Sequence, residues 1–79
     1  MTNKQKYNKV FIESFSIKEK DLKKDIEYNS IKKWDSVGHM AMIAKLEEKF
    51  KIVLEMDDII DFSSYETGKK ILKKYKVKI

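Results

Sequence analysis

The chain has no cysteine, no proline, no arginine and only two glycines in its 79 residues. Without cysteine it has no disulfide scaffold, no thiolate metal site and no thiol nucleophile. Without proline, and with glycine only at 38 and 68, it carries few helix breakers. Without arginine, all 18 cations are lysines, so the planar fork that pairs bidentately with phosphates and bases is missing. No apolar run approaches the ~20 residues of a membrane span, and Met1-Thr2-Asn3-Lys4-Gln5-Lys6 has no apolar stretch of signal-peptide type. A soluble, cytoplasmic protein without membrane insertion is expected. At this length a single domain, 1–79, is expected, burying only ~60–65% of its unfolded surface. So small a core argues against an enzyme with an enclosed active site of its own.

Lysine is what the chain has in excess. Its net charge of +5 first points to nucleic acid or an anionic membrane surface. The distribution weakens that reading. Residues 1–34 hold nine lysines and five acids, 35–62 three lysines and seven acids, and 63–79 six lysines and one acid. Two basic ends therefore flank an acidic middle. With no arginine among them, no nucleic-acid partner is expected, and a solvated lysine-rich surface is the simpler reading.

The hydrophobic spacing reads as all-α. Tyr7, Val10, Phe11 and Phe15 recur at helical spacing over 3–15, with Lys4, Lys6, Lys9 and Glu13 mostly on the other face. Residues 16–34 form a long polar connection pinned by Ile17, Leu22, Ile26, Tyr28 and Ile31, with room for one short helical turn. Loops this long in small domains often carry function. Asp35 is a good N-cap for a second helix that runs to about Phe50. Met42 or Ile43, Leu46 and Phe50 make its core stripe, with Val37, Met40 and Ala44 around the side. A short third helix is expected over 57–62. Ser63 with Glu66 fits a capping box for a last helix, about Ser64 to Tyr75, that packs Ile71, Leu72 and Tyr75. Gly68 inside it costs up to ~1 kcal/mol relative to alanine. The expected architecture is a small four-helix bundle with a long first loop and a short third helix.

The informative segment is Trp34-Asp35-Ser36-Val37-Gly38-His39-Met40, followed by Leu46-Glu47-Glu48-Lys49-Phe50. It resembles the acyl carrier protein family, including its peptidyl-carrier relatives. Members of that family carry Asp-Ser-Leu at the start of the second helix, often as Trp-Asp-Ser-Leu-Gly-His, and end the helix on Leu-Glu-Glu-x-Phe. An Asp-Ser pair alone is a weak signal, but the two motifs at family spacing in a chain of this length are specific. The resemblance covers nearly the whole chain.

The resemblance implies an acyl-carrier-like fold in which Ser36 accepts 4′-phosphopantetheine from coenzyme A, installed by a separate phosphopantetheinyl transferase. The thiol of that arm would hold an acyl or aminoacyl group as a thioester for loading and transfer enzymes. Asp35 would add transferase recognition to its capping role. Physically, a phosphodiester at a helix N-terminus meets free N–H groups and the positive end of the dipole. Gly38 would keep bulk away where the arm or the transferase approaches, and a chain without cysteine would borrow its thiol. A shuttle of this kind is expected to be a monomer.

Other patterns carry less. Ser36-Val37-Gly38 is half of the Gly-x-Ser-x-Gly elbow of serine hydrolases, but the first glycine and any preceding strand are missing. His39 reads as a lone exposed helical histidine rather than a catalytic one. Asp57-Asp58-Ile59-Ile60-Asp61 matches the Asp-Asp-x-x-Asp pattern that binds magnesium diphosphate in isoprenoid synthases. Those enzymes need a large cavity and a second motif, so no metal is expected, and acids in a first helical turn are favoured by the dipole. In the carrier family, acids on the second and third helices meet basic patches on partner enzymes. Glu47, Glu48, Asp57, Asp58 and Asp61 are the candidates here, with Val37 and Met40 as apolar contacts. Fatty-acid carriers place further acids just after the serine, whereas this chain has Gly38, Ala41 and then Lys45. A dedicated partner in a specialised lipid or secondary-metabolite pathway is therefore expected rather than housekeeping fatty-acid synthesis. The alternative class is a small basic helical protein binding nucleic acid or an anionic membrane surface.

Overall fold

Thr2 and Gln5 open the first helix by capping each other. The Gln5 N–H donates to the Thr2 hydroxyl at 3.1 Å, and the Thr2 N–H donates to the Gln5 side-chain carbonyl at 2.8 Å. The structure, a computed structural model, describes residues 1–79 apart from the side chain of Lys24. Helix α1 spans Asn3–Phe15, as its spacing predicts, and buries Tyr7, Val10, Phe11 and Phe15. It ends on Ser16, which adopts the left-handed conformation at φ 53°. Among the described residues three more α-helices follow: α2 (Ser36–Phe50), α3 (Met56–Asp61) and α4 (Tyr65–Lys74). The protein is a small all-α bundle with a long first loop and a short third helix.

The long loop holds a 3-10 helix at Glu19–Lys24, somewhat more than the one short turn expected. Leu22, Ile26 and Trp34 anchor it in the core, and Ile17 and Ile31 pack partly buried against that core. Backbone bonds tie its far end to the start of α4. The Tyr28 N–H donates to the Ser63 carbonyl at 2.8 Å, and the Tyr65 N–H donates to the Ile26 carbonyl at 3.0 Å. This pairing explains one correction. The cap of α4 is Ser64, whose hydroxyl accepts from the Thr67 N–H at 3.0 Å, and not Ser63 with Glu66. The Ser63 carbonyl is taken by the loop, and the Glu66 N–H donates to the Asp25 carboxylate at 2.9 Å. Helix α3 begins at Met56, one residue earlier than expected.

Phe11 sits at the centre of the core. Its ring meets Tyr7 at 4.9 Å, Tyr65 at 5.4 Å, Trp34 at 5.5 Å, Phe15 at 5.7 Å and Phe62 at 6.3 Å. Trp34, Phe62, Met42, Ile43, Leu46 and Leu72 close around this cluster and are fully or almost fully buried. Burying each such side chain is worth roughly 1.5–3 kcal/mol, so aromatic packing carries much of the stability of so short a chain. Of the expected core stripes, Phe50 and Tyr75 are only half-buried. Both lie at helix ends: Phe50 is the last residue of α2 and Tyr75 caps α4. Tyr7 donates its phenolic O–H to the Tyr65 carbonyl at 2.7 Å, and burial raises its pKa, keeping it a donor.

Candidate functional site

The site is assembled at the start of α2. Asp35 caps the helix, its carboxylate accepting from the Gly38 N–H at 2.8 Å, while its backbone carbonyl accepts from the His39 N–H at 2.8 Å. Ser36 is thus the first helical residue, and it is exposed. At this position backbone N–H groups have no intrahelical carbonyl to bond, and the helix dipole is positive. The Asp35 carboxylate at the N-cap takes up part of that field, and no further acidic residue lies in the first turn. The Ser36 hydroxyl shares a hydrogen bond of 3.2 Å with the Tyr28 hydroxyl, which reaches across from the long loop.

Beside Ser36 a groove of about 340 Å³ opens between α2 and α3. Tyr28, His39 and Met40 line one side, and Met56, Ile59, Ile60 and Phe62 the other. Large apolar side chains stand exposed along it: Met40 is 52% exposed, Met56 68% and Ile60 69%. A small globule seldom leaves several such residues together in water without a use for them.

His39 holds the floor of the groove. It is half-buried and bonded at both ring nitrogens, which corrects the reading of a lone exposed histidine. Trp34 donates its indole N–H to Nδ1 at 2.9 Å, so Nε2 carries the ring proton and donates it to the Ile59 carbonyl at 2.8 Å. The Trp34 indole and the imidazole lie edge to edge and nearly coplanar, their centroids 6.3 Å apart, and Tyr28 meets the imidazole edge-on at 5.7 Å. This chain of contacts links the buried tryptophan, α2 and α3, and it spends both imidazole nitrogens away from Ser36. Gly38 also has a different reason from the one expected. A Cβ there would run into the Lys33 carbonyl, so the glycine lets the loop cross the first turn of α2.

The predicted partner residues separate into groups. Met40 lines the groove, while Val37, 79% exposed, lies in a neighbouring depression with Lys32, Lys33 and Asp35. Glu48, Asp57 and Asp61 are exposed. Glu47 is half-buried, and its carboxylate accepts from the Leu54 N–H at 2.9 Å, closing the turn after α2. Asp58 does not face a partner at all: it is only 7% exposed. Its two oxygens accept from Lys74 Nζ and the Tyr75 hydroxyl, each at 2.5 Å, and Tyr75 accepts in turn from the Glu55 N–H at 3.0 Å. Asp58 therefore locks α3 to the end of α4, which removes it from the acidic surface.

That lock titrates in a defined direction. Hydrogen bonds from Lys74 first and Tyr75 second hold the Asp58 carboxyl below its ordinary value. A carboxyl depressed in the folded state stabilises the fold above its ordinary range and loses that contribution as pH falls through the folded value. The urea midpoint should therefore drop on acidification from about pH 5 toward pH 2, and the drop should be shallower in Asp58→Asn. Equal slopes in the two proteins would show that the lock contributes nothing. Lys74 is raised by the same bond, so its contribution fades only at alkaline pH, above the ordinary lysine value.

Tyr28, Met56, Ile59 and Ile60 are the site residues that the sequence reading missed. Met56 and Ile60 stand four apart on one short helix, a spacing that marks a shared face. Tyr28 gave no comparable signal, because only the loop's bond to Ser63 brings it to Ser36. A scan against protein-family models finds no match for the chain, and a search of curated proteins finds none either.

Proposed function

We propose that this chain is a carrier protein and not an enzyme, with Ser36 as its single covalent site. In this reading a phosphopantetheinyl transferase lets the Ser36 oxygen displace adenosine 3′,5′-bisphosphate from coenzyme A: the Ser36 O–P bond to 4′-phosphopantetheine forms, the P–O bond of the diphosphate breaks, and the hydroxyl proton passes to the transferase or to solvent. The observation that supports it most is an exposed serine hydroxyl at the first residue of a 15-residue helix, opening onto an apolar groove. These surroundings suit the group: the dipole favours the phosphate, and Met40, Met56 and Ile60 offer apolar cover to a chain leaving Ser36. When attached, the arm supplies the thiol on which an acyl or aminoacyl group travels as a thioester.

The chain's own residues have the remaining tasks. Asp35 fixes the first turn so that Ser36 projects outward, and Tyr28 holds the hydroxyl through a bond that exposed groups can exchange for a partner. The His39 tie keeps α3 against α2, which maintains the groove. Exposed Val37 and Met40 provide apolar contact to a docked enzyme, and Glu48, Asp57 and Asp61 the charge. The lack of acids after Ser36 in the first turn of α2 favours a dedicated partner in a specialised pathway.

Intact mass after incubation with coenzyme A and a broad-specificity transferase tests the reading. The wild-type protein should gain the mass of one arm, and Ser36→Ala should gain none. No gain in the folded wild-type protein, or a gain that survives Ser36→Ala, would overturn the proposal.

A further inference from the structure

Most of the net charge of the chain is gathered on one continuous surface built from three elements. Lys4 and Lys9 of α1, Lys23 of the 3-10 helix, and Lys69, Lys70 and Lys73 of α4 border three adjoining shallow depressions. Lys78, just after α4, completes the set. The depressions share Asn8, Glu19, Glu66 and Lys69, which makes the surface unbroken. Seven lysines line these depressions with two acids, Glu19 and Glu66, and a third acid, Asp25, lies beside them with its carboxylate on the Glu66 N–H, a balance of +4. Most of the chain's net charge of +5 is therefore on this face. Among the described residues only Lys69 of this set has an ion-pair partner, Glu66 at 2.9 Å.

We propose that this face docks on the surface of an anionic lipid membrane. Three observations favour lipid headgroups over nucleic acid. Every cation is a lysine, a point charge suited to a diffuse layer of anions and lacking the bidentate geometry that reads bases. The face offers no aromatic platform for stacking bases: Tyr65 is 5% exposed, and the Lys69 ammonium lies 5.1 Å over its ring. Third, the lysines are distributed over α1, the 3-10 helix, α4 and the segment after it rather than along one helix, so they present separate point charges to a diffuse anionic layer. Met1, 75% exposed at the edge of this area, adds an apolar side chain that the interface can receive.

The inference goes beyond the carrier reading and does not rest on it. The two surfaces are compatible, however, since among the described residues none lines both the Ser36 groove and the basic face. A membrane-bound molecule would keep Ser36 free.

Vesicle co-sedimentation of the unmodified protein tests the proposal, comparing mixed phosphatidylglycerol–phosphatidylcholine vesicles with phosphatidylcholine alone at about 0.1 M salt. Binding should require the anionic lipid and weaken as salt rises. Lys70, Lys73 and Lys78 are exposed, and changing all three to Gln should lower the partition coefficient on the order of a hundredfold. Changing Lys32, Lys45 and Lys49 to Gln lowers the net charge equally, but should leave binding within about a factor of three. Circular dichroism of both variants checks that each is folded. Equal binding to neutral and anionic vesicles, equal losses in the two variants, or tighter binding to duplex DNA than to vesicles at the same salt would each overturn it. None of these outcomes depends on whether Ser36 accepts an arm.

Discussion

Replacing Gly68 with alanine should destabilise the protein by about 2 kcal/mol, although alanine is the better helix former. Propensity alone favours the substitution by up to ~1 kcal/mol. The packing reverses the sign. A Cβ at position 68 would overlap the Phe62 ring and the Tyr7 hydroxyl, and neither can withdraw. Phe62 is fully buried, and Tyr7 is fixed by its bond to the Tyr65 carbonyl and by Phe11 at 4.9 Å and Tyr65 at 5.0 Å. Overpacking of this kind costs roughly 1–3 kcal/mol, the upper end applying where both neighbours are pinned. For a domain of this size the net loss corresponds to a fall in Tm on the order of 10 °C. Thermal unfolding followed by circular dichroism reads it directly. Phe62→Leu made in the Gly68→Ala background should cost less than in the wild type, because it removes the clash. A Tm raised by Gly68→Ala would mean that helix propensity outweighs the packing.

The second large effect concerns His39. His39→Leu keeps the bulk but leaves the Trp34 indole N–H, in a fully buried ring, without its acceptor, and the Ile59 carbonyl without its donor. Each stranded group costs about 1–3 kcal/mol, of which the added apolar burial returns a part. A net loss of about 3 kcal/mol is expected, large against the roughly 5–15 kcal/mol that folds a domain. The damage should be local as well as global. Amide exchange in α3 should accelerate more than in α1, since the imidazole is what bonds α2 to α3 here. Emission from the single tryptophan should also shift, and His39→Gln, with an acceptor and a donor on one side chain, should recover part of both signals. Unchanged exchange in α3 would refute the role given to His39.

These two positions show where sequence reasoning reaches and where it stops. The span of α1, the Asp35 cap and the extent of α2 were legible because each depends on neighbours within a few residues. Apolar recurrence and a single capping carboxylate contain the needed information. Gly38, Gly68 and His39 were misread for the opposite reason. Their environments come from Lys33, Phe62 with Tyr7, and Ile59, brought in by tertiary packing that no local pattern encodes. The same holds for the cap of α4. Ser63 and Ser64 are adjacent and equally able to cap, and the choice is made by the long loop pairing with the Ser63 carbonyl. Asp58 looked like part of an acidic surface until Lys74 and Tyr75, 16 and 17 residues away, were seen to enclose it.

Electrostatics gains most from the structure. Segment counts separate basic ends from an acidic middle, but only the fold joins α1, the 3-10 helix and α4 into one lysine surface distinct from the Ser36 groove.

The carrier role proposed for this protein depends on one oxygen atom, and locating the modification tests that role most directly. After transfer from coenzyme A, fragmentation mass spectrometry of the loaded protein should place the whole added mass on Ser36. The chain has five other serines, Ser14, Ser16, Ser30, Ser63 and Ser64. None of them is the first residue of an α-helix opening onto the apolar groove. Mass found on any of these, or a folded wild-type protein that takes up none, would contradict the central claim.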